Sequence, residues 1–433
     1  MTILHLITTF PPLTETFVLR EIRQLRRTGL NVIIGQLRPL HRTRATKDFD
    51  DLSKFVSGAG WFSLDMLRGF VFFGFRKPRQ VLECLGITSR SFNQPKHFLK
   101  MLYVLLSAMR LAYRFRDVQI DLVRADFLHT EALAARFLKS LLGVPYGITA
   151  YTVFVYYNRA VLEEIVKNAD FFVADTHQTK EFLLAMGVPP ERVHLIRNGI
   201  SLDEFPLRDS QAVADSPIIL AAGYLNAKKG FHILLSACAT LRERGARFKC
   251  VIIGDGDQRA SLTKLKGTLG LDGSVEMLGY VTFAELKSWY YRASVFVMPS
   301  VVAVTGETDG LPTVVIEALA SGLPVVGTYT AGIPDVVVDG VNGFLVPANA
   351  SEPLADRIQI LLEQKDLRMR FASAARRTIE RGFTLNRKVE LLRDLILGQI
   401  ASRKPAAQAD QSSATMINVP AGHQDRTTSE TRS

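Results

Sequence analysis

Cysteine is scarce. Of 433 residues only Cys84, Cys238 and Cys250 are cysteine, and their spacings pair with nothing. That excludes a disulfide framework and a thiolate zinc site, and it fits a reducing compartment. The opening MTILHLITTF lacks the basic start of a signal peptide, and Pro11 and Pro12 end its apolar run. Long unbroken hydrophobic runs are also missing. The longest uncharged stretch, 140–158, contains Gly143, Pro145, Gly147 and several hydroxyls, so it reads as a helix end, a strand and a loop in place of a spanning helix. No triad of nucleophile, base and orienting acid stands out. Asp255-Gly256-Asp257 offers two carboxylates, too few to hold a metal, and reads as the turn that ends a strand. No metal or other cofactor is expected.

Acidic residues are outnumbered, 42 against 53 Lys and Arg, for a net charge of +11. The excess is concentrated at 61–120, with ten Lys or Arg against Asp65, Glu83 and Asp117. There Leu102, Leu106, Met109 and Tyr113 recur at helical spacing beside Lys100, Arg110, Arg114 and Arg116. Such a helix suits an anionic membrane surface, or equally a core helix with a solvated basic face. Nucleic acid is not expected, because no binding motif accompanies the charge.

What is abundant is apolar matter, 47% of the chain, enough for two buried cores. A strand at Ile3–Ile7, a helix at Glu15–Arg27 and a strand at Asn31–Leu37 open an α/β pattern of parallel sheets covered by helices. Further strands are expected near Asp121–Arg124, Tyr146–Ile148, Asp170–Ala174 and Val193–Ile196. Residues 200–216 are polar and broken by Pro206, and mark a boundary. The pattern then restarts with strands at Ile218–Ala222, Phe248–Ile253, Ser274–Met277, Val295–Met298 and Pro324–Gly327, alternating with helices. The expected organisation is a Rossmann-like domain over 1–205 and a second over 216–382. A C-terminal helix over 383–400 packs back toward the first, and a disordered tail follows over 401–433.

Ligands of open parallel sheets bind beyond the carboxyl ends of the strands. After strand 218–222 the turn Gly223-Tyr224-Leu225-Asn226-Ala227-Lys228-Lys229 carries two lysines into a helix start. They would suit a diphosphate, or be merely solvated. After strand 295–298 comes Asp309-Gly310-Leu311-Pro312, leading into the helix TVVIEALAS. On it Glu317 stands alone among apolar residues, either an exposed glutamate or a carboxylate awaiting a partner such as a ribose diol.

These segments resemble the GT-B glycosyltransferases of retaining family 4, over nearly the whole chain up to about residue 400. The resemblance is carried by AAGYLNAKKGFHILLSA (221–237), VIIGDGDQRASL (251–262), MPS (298–300) and the long block 309–347. FPPLTETFVLREI (10–22) is similar to the opening of a bacterial exopolysaccharide branch. The resemblance implies a nucleotide-sugar donor in the C-terminal domain and a saccharide or lipid-linked saccharide acceptor on the N-terminal one. Asp309, Gly310 and Leu311 would face the donor sugar, Glu317 the ribose and Lys229 the diphosphate. It places the protein in the cytoplasm, at the inner face of the membrane.

Four departures stand out. Asp309 replaces a more frequent glutamate. Tyr224 occupies the place of an arginine after Gly223, so the second diphosphate clamp is either missing or supplied by another residue such as Lys228. Tyr151 stands where the family carries a histidine near the reacting sugar, and Arg124-Ala125-Asp126-Phe127 where it often has His-x-His-Phe. The expected function is a retaining hexosyltransferase of polysaccharide biosynthesis, the alternatives being a non-catalytic nucleotide-sugar-binding partner and another GT-B activity such as sugar-nucleotide epimerisation.

Overall fold

A computed structural model describes residues 1–10, 16–39, 50–57, 63–151, 159–207, 217–304, 306 and 308–403. The first half runs β1 (Thr2–Ile7), α1 (Thr16–Arg27), β2 (Asn31–Gln36), α2 (Asp50–Ser53), β3 (Val56–Ser57), α3 (Leu64–Arg76), α4 (Pro78–Ser89) and α5 (Pro95–Arg114). It continues with β4 (Leu122–Asp126), α6 (Thr130–Leu142), β5 (Tyr146–Ala150), α7 (Arg159–Asn168), β6 (Phe171–Ala174), α8 (His177–Ala185) and β7 (Val193–Leu195). All its strands are parallel, in the order β3-β2-β1-β4-β5-β6-β7.

The second half runs β8 (Ile218–Ala222), α9 (Phe231–Glu243), β9 (Lys249–Ile253), α10 (Arg259–Thr268), β10 (Val275–Gly279), α11 (Phe283–Arg292) and β11 (Val295–Met298). After these come α12 (Thr313–Ala320), β12 (Val325–Thr328), β13 (Gly343–Val346), α13 (Ser351–Glu363), α14 (Lys365–Gly382) and α15 (Leu385–Ala401). This sheet is also parallel, in the order β10-β9-β8-β11-β12-β13. The strand order reverses between β1 and β4 in one sheet and between β8 and β11 in the other, which opens a crevice at the carboxyl ends of both.

Short β-branched runs such as Ile218–Ala222 are buried along their whole length because helices cover both faces of each sheet. Four apolar clusters result, one on each face of each sheet. The chain crosses back at Thr384, where Ile200 N–H donates to Phe383 O and Leu385 N–H to Ile200 O. α15 then lays Val389, Leu392, Ile396 and Ile400 against α1 and the first sheet.

The expected strands appear with ends moved by one or two residues. β3 and β13 were not anticipated, because two and four residues carry too little pattern. α5 corrects the surface-helix alternative. Met109 is buried, Leu106 and Tyr113 pack on the core, and buried Arg110 donates from Nη2 to Gln36 O at 2.6 Å. The helix lies between α3 and α6 and therefore buries most of its circumference. Among the described residues no helix is long and apolar enough to cross a membrane. Of the tail expected to be disordered over 401–433, residues 404–433 lie outside the described residues, and Ala401 still belongs to α15.

Candidate active site

The two loops singled out in the second half meet in space. Ala227–Lys229 form a single tight turn ahead of α9, which aims both lysines across the crevice. The 309–312 segment ends at Pro312, whose extended ψ of 122° caps α12. Lys228 Nζ stands 3.2 Å from Asp309 Oδ1, and Lys229 Nζ stands 2.7 Å from Asp309 Oδ2. All three side chains are mostly buried, so the pair of cations and single anion keep a net positive charge in a partly desolvated place.

These groups form one wall of a cleft of about 470 Å³, with Tyr224, Asn226, Gly310, Leu311, Pro312 and Thr313. The first half supplies the other wall, from Phe17, Phe127, Tyr151, Asp175 and Asn198. The walls nearly touch at Gly310, where a Cβ would lie 1.8 Å from the Tyr151 carbonyl oxygen and 2.9 Å from Asp175 Oδ2. Only glycine permits that approach. Phe127 holds a left-handed φ of 64°, costly for a non-glycine residue, and its N–H donates to Thr149 O at 2.7 Å. That conformation turns its ring to within 5.1 Å of the Tyr151 ring.

Asp175 follows β6 directly. Its Oδ1 accepts from Thr179 Oγ1 at 3.1 Å, and the Leu311 backbone N–H from the opposite wall also stabilises its charge. Burial outweighs both and pushes its pKa up to about 7. A second cross-cleft tie lies nearby, where Asp335 accepts from the His177 backbone N–H at 2.7 Å and meets His177 Nδ1 at 2.9 Å.

Tyr151 enters the cleft wall through its ring and carbonyl. Its hydroxyl belongs to a buried polar network beneath, where Lys388 Nζ of α15 donates to Tyr151 OH at 3.1 Å and to Asn198 Oδ1 at 3.0 Å. Lys388 also pairs with Glu21 Oε2 at 2.6 Å, and Arg124 Nη1 donates to Glu21 Oε1 at 2.6 Å. Burial alone would raise the Glu21 carboxyl, but the charges of Lys388 and Arg124 outweigh it and hold it well below the usual range. Arg124 further binds Thr149 Oγ1, and Asp126 meets His5 Nε2 at 2.6 Å.

The structure thus gathers Tyr151, Tyr224, Lys228, Lys229, Asp309, Gly310 and Leu311 around one cleft. Gly223 lies behind that wall, with the Lys229 side chain against it. Glu317 is absent from the cleft lining. It is 7% exposed on α12, which removes the exposed-glutamate alternative, and its Oε2 accepts from Tyr290 OH at 2.8 Å. Burial raises its pKa, against the hydrogen bond from Tyr290. Sequence reasoning missed Phe17, Asp175 and Asn198. The rule applied to the second sheet would have found Asp175, which comes straight after the apolar run Phe171–Ala174. No local pattern could have found Lys388, 237 residues from Tyr151.

Two facing parallel sheets with a cross-domain cleft at their carboxyl ends define the GT-B class of glycosyltransferase folds. Family models match both halves: Glycosyltransferase Family 4 over 14–204, and Glycosyl transferases group 1 over 204–378. The chain thus carries a family 4 glycosyltransferase domain followed by a group 1 glycosyltransferase domain. It is 35% identical over 176 residues to the putative colanic acid biosynthesis glycosyltransferase WcaL of Salmonella typhimurium, covering 41% of this chain and 43% of that one. It is 35% identical over 173 residues to the amylovoran biosynthesis glycosyltransferase AmsK of Erwinia amylovora, covering 40% and 42%. The match therefore spans about two fifths of the length of these curated relatives. Among solved structures, a glycosyltransferase from Rickettsia africae superposes with a TM-score of 0.70 at 18% identity, over 93% of this chain and 99% of that one. Anabaena HepE in complex with UDP does so with 0.70 at 18%, over 92% and 100%. At that identity the likeness carries the fold.

Proposed function

We propose that the protein is a retaining glycosyltransferase. It moves a hexose-type sugar from a nucleotide-sugar donor to a saccharide or lipid-linked saccharide during exopolysaccharide biosynthesis. One observation carries this reading: Lys228 and Lys229 converge on Asp309 inside the cross-domain cleft. Departure of a nucleoside diphosphate develops negative charge on a phosphate oxygen, and two preplaced ammonium groups stabilise it in a water-poor site. Asp309 orients the lysines and faces the sugar. The sugar C1–O bond to the diphosphate breaks, the bond from C1 to the acceptor oxygen forms on the same face, and the acceptor proton passes to the departing phosphate oxygen. No enzymic nucleophile and no metal are required. Glu317, beyond the cleft on α12, holds the ribose.

The relatives named for colanic acid and amylovoran biosynthesis support the exopolysaccharide setting. The Anabaena HepE structures with UDP and UDP-glucose support a nucleotide-sugar donor. The acceptor reading places the reaction in the cytoplasm at the inner membrane face.

The test is a thermal-shift screen against nucleoside diphosphates and their sugars, with and without chelator. The expected result is a selective rise for one base, unchanged by chelator, with turnover from that donor. A second reading, a nucleotide-sugar binder without turnover, is favoured by the capture of the Tyr151 hydroxyl by Lys388. Binding without any transfer or donor hydrolysis would select it.

A further inference from the structure

α3 and α4 cover the first half from outside. On its inner side α3 buries Met66, Gly69 and Phe73, and a Cβ at Gly69 would lie 2.6 Å from the Met109 carbonyl oxygen, so α3 and α5 pack backbone against backbone. α4 turns Val81, Cys84 and Ile87 inward. A helix so placed normally presents polar residues outward. Here the outward side is apolar. Leu64, Leu67, Val71 and Phe75 form one stripe along α3, and Phe75 is 85% exposed. Leu82 and Leu85 continue the surface on α4. Nine of the twenty exposed large hydrophobic side chains among the described residues fall between Leu64 and Leu99, too dense a cluster to be scattered surface residues.

The charge around this surface is mostly positive. Residues 63–99 carry six Lys or Arg against two acids, Asp65 and Glu83. Both acids are already paired, Asp65 with Arg68 at 3.2 Å and Glu83 with Arg136. Building on the lipid-linked acceptor put forward above, we propose that the outer face of α3 and α4 seats the protein on an anionic lipid bilayer. Leu67, Val71, Phe75 and Leu82 enter the headgroup boundary, and Arg76 and Arg79 meet lipid phosphates. A second copy of this chain fits less well, because a two-fold contact through this face would oppose its positive charge to itself. The seat lies on α3 and α4, and α5 serves as the buried helix that carries them.

Co-sedimentation of the full chain with phosphatidylcholine vesicles, with and without phosphatidylglycerol, tests this. The expected result is binding that needs phosphatidylglycerol and falls as salt rises. Leu67→Ser with Phe75→Ser, and separately Arg76→Glu with Arg79→Glu, each lower it by roughly tenfold or more. Both double variants keep the nucleoside-diphosphate thermal shift of the parent. If the serine variant fails to fold, the charge variant carries the test. No binding of the parent to phosphatidylglycerol vesicles at low salt overturns the proposal, as does equal binding by the charge variant. A dimer that both variants dissociate, with no vesicle binding, reassigns the face to a second copy. Vesicle binding without any nucleotide response keeps the membrane seat and removes the donor reading instead.

Discussion

The carboxylate of Asp309 stands 2.7 Å from the ammonium of Lys229 and 3.2 Å from that of Lys228, so one acid holds two cations at the centre of the cleft. In the proposed reaction an arriving diphosphate would compete for the same lysines and leave Asp309 to the sugar. Lys229→Ala should lower kcat by about a hundredfold to a thousandfold, the scale of losing one preplaced stabilising group, while the melting temperature stays near that of the parent. Lys228→Ala should cost less, because its contact with Asp309 is longer. Steady-state kinetics with circular dichroism melts decide this. An unfolded variant would instead mark the lysines as structural.

Tyr290→Phe isolates the role of Glu317. The tyrosine is the donor that partly offsets burial of that carboxylate. Its loss should destabilise the fold by about 1–3 kcal/mol and raise the Glu317 pKa further. Donor affinity should weaken with little change in kcat if the carboxylate holds the ribose. Calorimetric binding and denaturant melts measure both.

Asp175 sets a pH dependence. Its pKa is raised from an ordinary 3.8 to about 7, so the folded chain keeps a proton that the unfolded chain has lost over that interval. Its contribution therefore makes stability fall as pH rises between those values, by up to about 1.4 kcal/mol per pH unit, and levels off above pH 7. Asp175→Asn should flatten that slope. Denaturation midpoints of parent and variant across pH 5–8, a range chosen to bracket roughly the upper half of the window, provide the comparison.

The Glu21 network couples the C-terminal helix to the first-half wall of the cleft. Glu21→Gln leaves Arg124 and Lys388 buried with one partner fewer, and should destabilise by about 3–5 kcal/mol. Glu21 itself is depressed in pKa, so its contribution is present above the ordinary carboxylate range and is lost as pH falls toward its folded value. Lys388→Met should loosen α15 and lower kcat through Tyr151 and Asn198, with donor binding preserved. Hydrogen exchange along α15 and binding of the donor separate those effects.

The wall from the second half was legible in the sequence because it is local: Lys228 and Lys229 lie in one turn, and Asp309 to Pro312 precede one helix. Strand–helix alternation gave both sheets for the same reason. The wall from the first half was much less so. Phe17, Asp175 and Asn198 come from three separate elements, and the partners of Tyr151 lie at Glu21 and Lys388, far along the chain in both directions. The sequence left α5 open between a membrane-surface helix and a core helix, because its charge and apolar residues form a pattern that fits either exposure. Only the packing of α3 through Gly69 shows which helix faces outward.

Release of nucleoside diphosphate from the donor selected by thermal shift, with extracted lipid-linked saccharide as acceptor, tests whether the lysine pair meets the leaving group of a sugar transfer. The expected result is acceptor-dependent release by the parent, lost by about a hundredfold or more in Lys229→Ala that still melts normally. Equal release by the two proteins, or release that ignores the acceptor, would contradict a transferase whose leaving group is met by the lysine pair.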